Sequence, residues 1–169
     1  KKAELLDYSG RLRLLLDECL NSFGWILAPK NLCPIHGDLT FENILVDEKN
    51  DDVKLIDMDG AEYMDAMELD MGKMFQSLIT HYETWSKLPD EQLKTFEFSL
   101  DSPHIEGYIN LWSEMLDEDE EILRAKIYFY TALHLIRMIP FRLKVSDEQG
   151  RFAYNSALKL LNKIGDILA

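Results

Sequence analysis

Cysteines and basic residues are scarce in this chain, and each scarcity excludes a class of protein. The two cysteines, Cys19 and Cys33, are too few for a disulfide framework and too far apart for a CxxC metal pair. The sequence therefore predicts two buried thiols in a reducing compartment, which indicates a cytoplasmic protein.

The charge balance excludes the partners that need a basic surface. Lysine and arginine total 18 against 31 acidic residues, which gives a formal net charge of -13. Nucleic acids and anionic membranes bind to basic faces, so we expect neither as a partner. A long hydrophobic run is also missing, because the most apolar stretch, residues 127–141, is interrupted by His134, Arg137 and Pro140. The sequence therefore predicts no membrane span.

What the sequence does contain is enough apolar material for one core. The chain has 169 residues, of which 47% are hydrophobic, and we expect a single domain over residues 1–169. Two short apolar runs, 44–46 and 53–56, flank a polar turn and predict a β-hairpin. Apolar spacing and capping residues predict five helices: 4–22, a helix capped by Asp70 that continues to Trp85, 102–116, 117–140 and 148–168. The predicted fold class is therefore mainly α with a small β-hairpin, an α+β fold.

Polar side chains crowd the segment just before this hairpin. Residues 33–47 read CPIHGDLTFENILVD. If the two strands pair around Asn50, then Asn43 faces Asp57 at a distance from which both side chains reach one ion. An amide oxygen with one carboxylate is a sparse magnesium site, which water and substrate phosphates complete. The pattern predicts such a site at the base of the hairpin.

Asp38 adds a carboxylate to this predicted site. It lies five residues before Asn43, in a loop that Gly37 makes flexible. Phosphoryl transfer needs one carboxylate to orient the attacking hydroxyl, and metal ions to bridge the phosphates. The His36-Gly37-Asp38 triplet alone is equally typical of a turn that leads into a strand. Phosphoryl transfer is indicated only by Asp38 together with Asn43 and Asp57.

The segment HGDLTFEN, residues 36–43, followed by LIDMD, residues 55–59, resembles the catalytic loop and metal-binding segment of protein-kinase-like enzymes. With a glycine directly after the histidine, this segment resembles the one found in the aminoglycoside phosphotransferase and choline kinase family. Members of that family also carry an aspartate at the opening of the next helix, a position that Asp70 matches. The resemblance implies the carboxy-terminal lobe of a protein-kinase-like fold.

The resemblance also implies a role for each of the matching residues. Asp38 is the catalytic base, and Asn43 and Asp57 bind Mg²⁺ and, through it, ATP. Asp59 matches an acidic position that contacts metal or substrate, although a plain loop acid fits the pattern equally well. His36 and Asp70 support the loop. The implied function is transfer of the ATP γ-phosphoryl group to a hydroxyl of a sugar, an aminoglycoside or an amino alcohol.

Two features of protein kinases are missing from the sequence. It contains neither a glycine-rich loop nor a strand lysine, which both belong to the amino-terminal, ATP-binding lobe. We therefore expect that lobe to be a partner absent from this chain. Thr40 stands where protein kinases usually carry a lysine, so the source of positive charge near the transferred phosphoryl group stays open.

Three alternatives use the same residues differently. The segment LIDMDGAEY also resembles the first motif of haloacid dehalogenase-type phosphatases, with Asp57 as a nucleophile, but too few strands are predicted for their doubly wound sheet. A non-catalytic kinase-like binding module is the second alternative. A kinase acting on polypeptides is the third, but the segment from Asp57 to Asp70 is too short for a long activation segment.

Overall fold

The computed structural model describes residues 2–30, 32–58 and 64–169, with side chains described from Gly10 onward. Helices make up most of this structure, as the predicted fold class requires. Their bounds are α1 Lys2–Leu27, α2 Met67–Thr80, α3 Tyr82–Trp85, α4 Asp90–Leu93, α5 Pro103–Leu116, α6 Glu120–Val145 and α7 Asp147–Leu168. A short 3₁₀ helix, Phe41–Asn43, precedes the hairpin.

Four short strands form two separate antiparallel pairs in the described part of the chain. The strands are β1 Leu32–Pro34, β2 Ile44–Asp47, β3 Asp52–Leu55 and β4 Met64–Ala66. The predicted hairpin is the β2–β3 pair, so its existence is confirmed. The β1–β4 pair was not predicted, because strands of three residues are too short to show an alternating pattern. The α+β class is correct.

The predicted register of the hairpin is wrong by one residue. Asp47 pairs with Asp52 and Ile44 with Leu55, so Asn43 does not stand opposite Asp57. The turn has four residues, and the Asp47 carboxylate holds it by accepting hydrogen bonds from the Lys49 N–H at 3.0 Å and the Asn50 amide at 2.7 Å. These bonds lower the pKa of Asp47. A four-residue turn cannot be centred on one residue, which is why the prediction around Asn50 failed.

Several helix boundaries differ from their predictions. Helix α1 continues to Leu27, beyond its predicted end at residue 22. The helix predicted to continue to Trp85 ends at Thr80, because His81 has a left-handed φ of 49°, and α3 follows as a separate helix.

Helix α2 begins at Met67, so Asp70 lies inside its first turn instead of capping it. The run of good helix formers at residues 67–69 extends the helix toward its N-terminus. Helix α6 continues through Pro140 to Val145, although proline cannot donate the backbone hydrogen bond of a helix interior. The extension brings Arg142 and Lys144 into the last turn of α6, where the helix dipole stabilises cations.

Helix α6 is the centre of the hydrophobic core. It packs against α7 and α2, and its middle is buried from Leu123 to Leu135. Only Ser146 separates α6 from α7, and its hydroxyl caps α7 by accepting a hydrogen bond from the Gln149 N–H at 3.1 Å. The largest fully buried side chains include Trp85, Phe75, Leu27, Met71, Ile109, Leu123, Ile127, Leu135, Leu160, Leu161 and Ile164. This core fixes α2, and with it Asp70.

A close contact at Gly72 sets the position of α2 on α6. A Cβ atom at Gly72 would lie 2.8 Å from the backbone nitrogen of Thr131, closer than side chains approach each other in proteins. The Thr131 hydroxyl donates a hydrogen bond to the Gly72 carbonyl at 2.9 Å. The His134 ring and the Tyr108 hydroxyl bind the carbonyls of Leu69 and Met71, each at 2.8 Å. The beginning of α2 is therefore anchored through three carbonyls of its first two turns.

A buried ionic cluster joins three parts of the fold. Lys126 of α6 is fully buried, and its ammonium lies 2.9 Å from the Glu118 carboxylate and 3.6 Å from Glu68 at the start of α2. Lys30, which follows α1, contacts Glu118 at 2.7 Å. Burial acts to raise the pKa of Glu118, but hydrogen bonds from the two lysines outweigh it and lower the pKa. The cluster is structural, because all its charges are paired with one another.

The two cysteines differ in their environments. Cys19 is buried, as predicted, and burial raises the pKa of its thiol. Cys33 in β1 is partly exposed, so its predicted burial is wrong. Both are free thiols. In the part of the chain that the structure describes, none of the helices is long and apolar enough to cross a bilayer.

Candidate active site

The loop that carries Asp38 is held in place by the Asp70 carboxylate. One oxygen of Asp70 accepts the backbone N–H of His36, and the other accepts that of Gly37 at 2.9 Å. Gly37 has a φ of 87°, a left-handed conformation that a side chain would strain. Asp70 is itself fixed on α2, which packs on α6, so the core determines where the loop lies.

His36 ties the same loop to the end of the hairpin. Its ring is buried, and Nε2 donates a hydrogen bond to the Ile56 carbonyl at 2.8 Å. Nδ1 accepts the backbone N–H of Asp38 at 3.3 Å. With both ring nitrogens used in this way, the imidazole is neutral and links Asp38 to the residue just before Asp57. His36 therefore supports the loop and does not face solvent.

Asp38 projects from this loop into a partly open space. Its side chain is 44% exposed, and Oδ1 lies 3.0 Å from the ammonium of Lys73, a residue of α2 that is 5% exposed. A carboxylate in this environment is accessible to a substrate and is held by one buried cation. Lys73 thus places a positive charge directly beside Asp38.

Asn43 is oriented by the backbone of Asp38. The Asn43 amide donates to the Asp38 carbonyl at 2.8 Å, and the Thr40 N–H donates to the same oxygen at 2.8 Å. Among the described residues none donates a hydrogen bond to the amide oxygen of Asn43, which can therefore act as an acceptor. The Asn43 carbonyl accepts the Ile56 N–H at 3.0 Å, so Asp57 comes one residue after the hydrogen-bonded partner of Asn43.

Asp57 occupies a special backbone position at the end of the hairpin. Its φ is 58°, in the left-handed region, and its side chain is exposed. An exposed carboxylate and a free amide oxygen are the hard oxygen donors that Mg²⁺ prefers, so the chemistry of Asn43 and Asp57 fits this ion. Among the described residues there is no group of three or more His, Cys, Asp or Glu side chains suited to a metal. The prediction for Asp59 lies outside the described residues.

Comparison of the chain with family models, curated proteins and solved structures found no match.

His134 lies behind this site and is uncharged at neutral pH. Burial lowers the pKa of its imidazole to about 4. The hydrogen bond to the Leu69 carbonyl opposes this shift, the cations Lys73 and Arg137 reinforce it, and Asp38 opposes it weakly. These influences place His134 within electrostatic range of Lys73, Arg137 and Asp38.

Lys73 was missed in the sequence because no kinase-like motif marks it. A signal was nevertheless present, since Asp70 and Lys73 are three residues apart on one helix and therefore lie on the same face. A carboxylate that binds the loop and an ammonium that binds Asp38 thus come from one helical turn. The structure brings together Asp38, Asn43, His36, Asp70 and Lys73.

Proposed function

We propose that this chain is the acceptor-side lobe of a phosphotransferase that uses Mg²⁺ and ATP to phosphorylate a hydroxyl group of a small molecule. The observation that carries the proposal is the arrangement of Asp38: a half-exposed carboxylate 3.0 Å from a buried ammonium, in a loop held by Asp70. A carboxylate held in this way is suited to orient a hydroxyl and to take its proton.

The chemistry requires few parts from the protein. The Asp38 carboxylate accepts the proton of the acceptor hydroxyl while the hydroxyl oxygen forms a bond to the γ-phosphorus. The bond between that phosphorus and the bridging oxygen of ATP breaks, and ADP leaves with the electron pair. Lys73 holds Asp38 in position and adds positive charge where the phosphoryl charge develops. Asn43 and Asp57 would hold Mg²⁺, which when bound neutralises the phosphate charge.

The hairpin supports the expectation of a second lobe. Its apolar side chains are exposed on both faces: Leu45 is 50%, Val46 65%, Val53 59% and Leu55 45% exposed. Neighbouring residues in a strand point to opposite faces, so neither face of β2–β3 is fully covered by the rest of the described structure. Apolar patches of this kind mark interaction sites. We propose that the ATP-binding lobe packs against this hairpin.

The phosphatase alternative has less support. It would require the strand before Asp57 to lie in a parallel, doubly wound sheet. Strand β3 instead pairs antiparallel with β2, and both sheets in the described residues have only two strands. The Asp38 loop would also have no function in such an enzyme.

The decisive variant is Asp38→Asn in the complete protein, assayed for conversion of ATP to ADP with sugars, aminoglycosides and amino alcohols. Loss of a general base lowers turnover by about 10²- to 10⁴-fold, while nucleotide binding should survive. Asp166→Asn is the matched control, because Asp166 is exposed and its ion-pair partner in the described part of the chain is Lys163, at 3.2 Å. Removal of Mg²⁺ with a chelator should also stop turnover.

Three results would contradict the proposal. Unchanged turnover in Asp38→Asn would remove the general base. A phosphoaspartate trapped at Asp57 without ATP would identify a phosphatase. Magnesium-dependent nucleotide binding by the complete protein without turnover of any acceptor would identify a non-catalytic module.

A further inference from the structure

A groove of about 570 Å³ opens between α3 and the C-terminal half of α6. Its lining residues are Tyr82, Arg137, Met138, Phe141, Arg142 and Val145. Among these described lining residues two are arginines and none is acidic, whereas the whole chain has 31 acidic residues and only 18 lysines and arginines. The charge of this groove is therefore opposite to the charge of the protein.

The groove lies beside the proposed catalytic residue. The Lys73 ammonium is 3.0 Å from the Asp38 carboxylate and 5.4 Å from the centroid of the Tyr82 ring. Tyr82 lines the groove, so one ring borders both the groove and the ammonium that pairs with Asp38. Because Arg137 and Asp38 both influence the imidazole of His134, the groove and the catalytic loop share one electrostatic environment.

The two arginines of the groove are held differently. Arg142 is partly buried, and its guanidinium donates hydrogen bonds to the Tyr82 hydroxyl at 2.8 Å and to Gln149 at 3.4 Å. Its guanidinium carbon also lies 5.0 Å from the centroid of the Trp85 ring. Arg137 is exposed and makes no hydrogen bond or ion pair with the described residues. Arg142 is therefore a fixed part of the wall, and Arg137 has its donors free.

The helix dipole explains the cations in the last turn of α6, but it does not explain Arg137. Arg142 and Lys144 lie in the last turn of α6, where the helix dipole favours a cation. Arg137 lies about two turns before the end of α6, and the dipole effect falls off within the last turn. A free guanidinium beside a fixed one, over an apolar floor, is suited to bind an anion.

Building on the proposed function, we propose that this groove binds the acceptor, and that the acceptor is a hydroxy compound bearing a carboxylate or a phosphate ester. Arg137 and Arg142 bind the anionic group, and the apolar side chains of Met138, Phe141 and Val145 contact the carbon skeleton. A hydroxyl of the same molecule is directed toward Asp38. An aminoglycoside or an amino alcohol would place its ammonium group against two guanidinium groups, so the proposal excludes these acceptors.

The test compares four sugars that share a pyranose ring and differ in charge: glucuronate, glucose 6-phosphate, glucose and glucosamine. Their affinities for the full chain are measured by calorimetry without nucleotide, at about 0.15 M ionic strength so that the diffuse acidic field is screened. Charge-assisted hydrogen bonds to arginine should make at least one anionic sugar bind about tenfold or more tightly than glucose. The two anionic sugars distinguish a carboxylate from a phosphate ester. Glucosamine should bind most weakly.

Arg137→Gln should remove this preference, lowering the affinity for the anionic sugar about tenfold and leaving that for glucose unchanged. Arg13→Gln is the matched control. Arg13 is also an exposed arginine in a helix, and its ion-pair partner among the described residues is Asp17, at 3.7 Å. It removes the same charge far from the groove, so the preference for the anionic sugar should persist in that variant.

Equal binding of the four sugars, or tighter binding of glucosamine, would overturn the proposal. An equal loss in Arg137→Gln and Arg13→Gln would also overturn it, because the effect would then be one of net charge. These outcomes are separable from failure of the proposed function, since binding is measured without ATP. Unchanged turnover in Asp38→Asn would reject the phosphotransferase, whereas efficient phosphorylation of cationic acceptors alone would reject only the anionic groove.

Discussion

Acidification should destabilise this fold through one buried histidine. His134 has an ordinary pKa of 6.5, which the folded protein lowers to about 4. One pKa unit corresponds to about 1.4 kcal/mol, so this difference is equivalent to about 3 kcal/mol. Between the two values the unfolded chain binds the proton and the folded chain does not. The contribution of His134 is therefore complete above pH 6.5 and is lost as the pH falls toward 4.

The measurement is the free energy of unfolding in urea at several pH values from 7 to 4. His134→Gln keeps an N–H donor for the Leu69 carbonyl but cannot titrate. Between pH 7 and pH 4 its free energy of unfolding should therefore fall by about 3 kcal/mol less than that of the unsubstituted protein. His104→Gln is the matched control, since His104 is exposed and the change should leave the pH dependence as it is. Equal pH dependence in His134→Gln and the unsubstituted protein would refute the reasoning. An NMR titration with a His134 pKa near its ordinary value would also refute it.

Two further substitutions test how α2 is held and what it holds. Gly72→Ala places a Cβ atom 2.8 Å from the Thr131 backbone and should lower the free energy of unfolding in urea. The expected loss is about 1–3 kcal/mol from overpacking. Gly107→Ala, where the added carbon meets open space, should cause no loss, and equal effects would contradict the packing argument. Lys73→Met removes the ammonium beside Asp38 and should lower turnover about 10²-fold by releasing the carboxylate from its position. The urea midpoint should change little, because Asp38 is half exposed, and retained turnover would show that Lys73 has no such role.

Helix starts were predictable because their signals are local. Ser102 followed by Pro103 marks the start of α5, and the Ser102 hydroxyl accepts the Ile105 N–H at 3.3 Å as a capping residue should. The acidic run before α6 contains its cap, Asp119, which accepts the N–H of Ile122 at 3.1 Å. Such contacts join residues that are three apart, so neighbouring letters of the sequence are enough to identify them.

Features that depend on distant contacts were not predictable in the same way. Packing along α6 outweighs the local preference of Pro140, so the helix continues beyond it. The hairpin register was missed for a different reason, because the Asp47 carboxylate closes a four-residue turn through a local bond to the Asn50 amide, and the polar residues of the turn are equally compatible with a turn centred on Asn50. Because both faces of these strands are exposed, their apolar residues do not mark a buried face. The positions of the apolar residues therefore cannot distinguish one register from another that differs by one residue.

The predicted site shows the same division. The order of residues 36–43 was enough to predict a loop with Asp38 in it, because these residues are neighbours in the chain. Lys73 reaches Asp38 from α2, and its position depends on how α2 packs against α6. The contact between Gly72 and Thr131 sets that packing, and no pattern within either helix reveals it.

The buried cluster of Lys126, Glu118, Glu68 and Lys30 has a consequence for the order of folding. Its four charges come from the segment after α1, the start of α2, the α5–α6 connection and α6 itself. Lys30 stays 61% exposed, but Lys126, Glu118 and Glu68 are buried. Until these three have docked together, desolvating any one of their charges is costly, so early collapse gains little from them. We expect the cluster to close late, after α6 and α7 have joined. The start of α2 would then reach its final position in one of the last steps, and an arrested chain would be compact yet inactive.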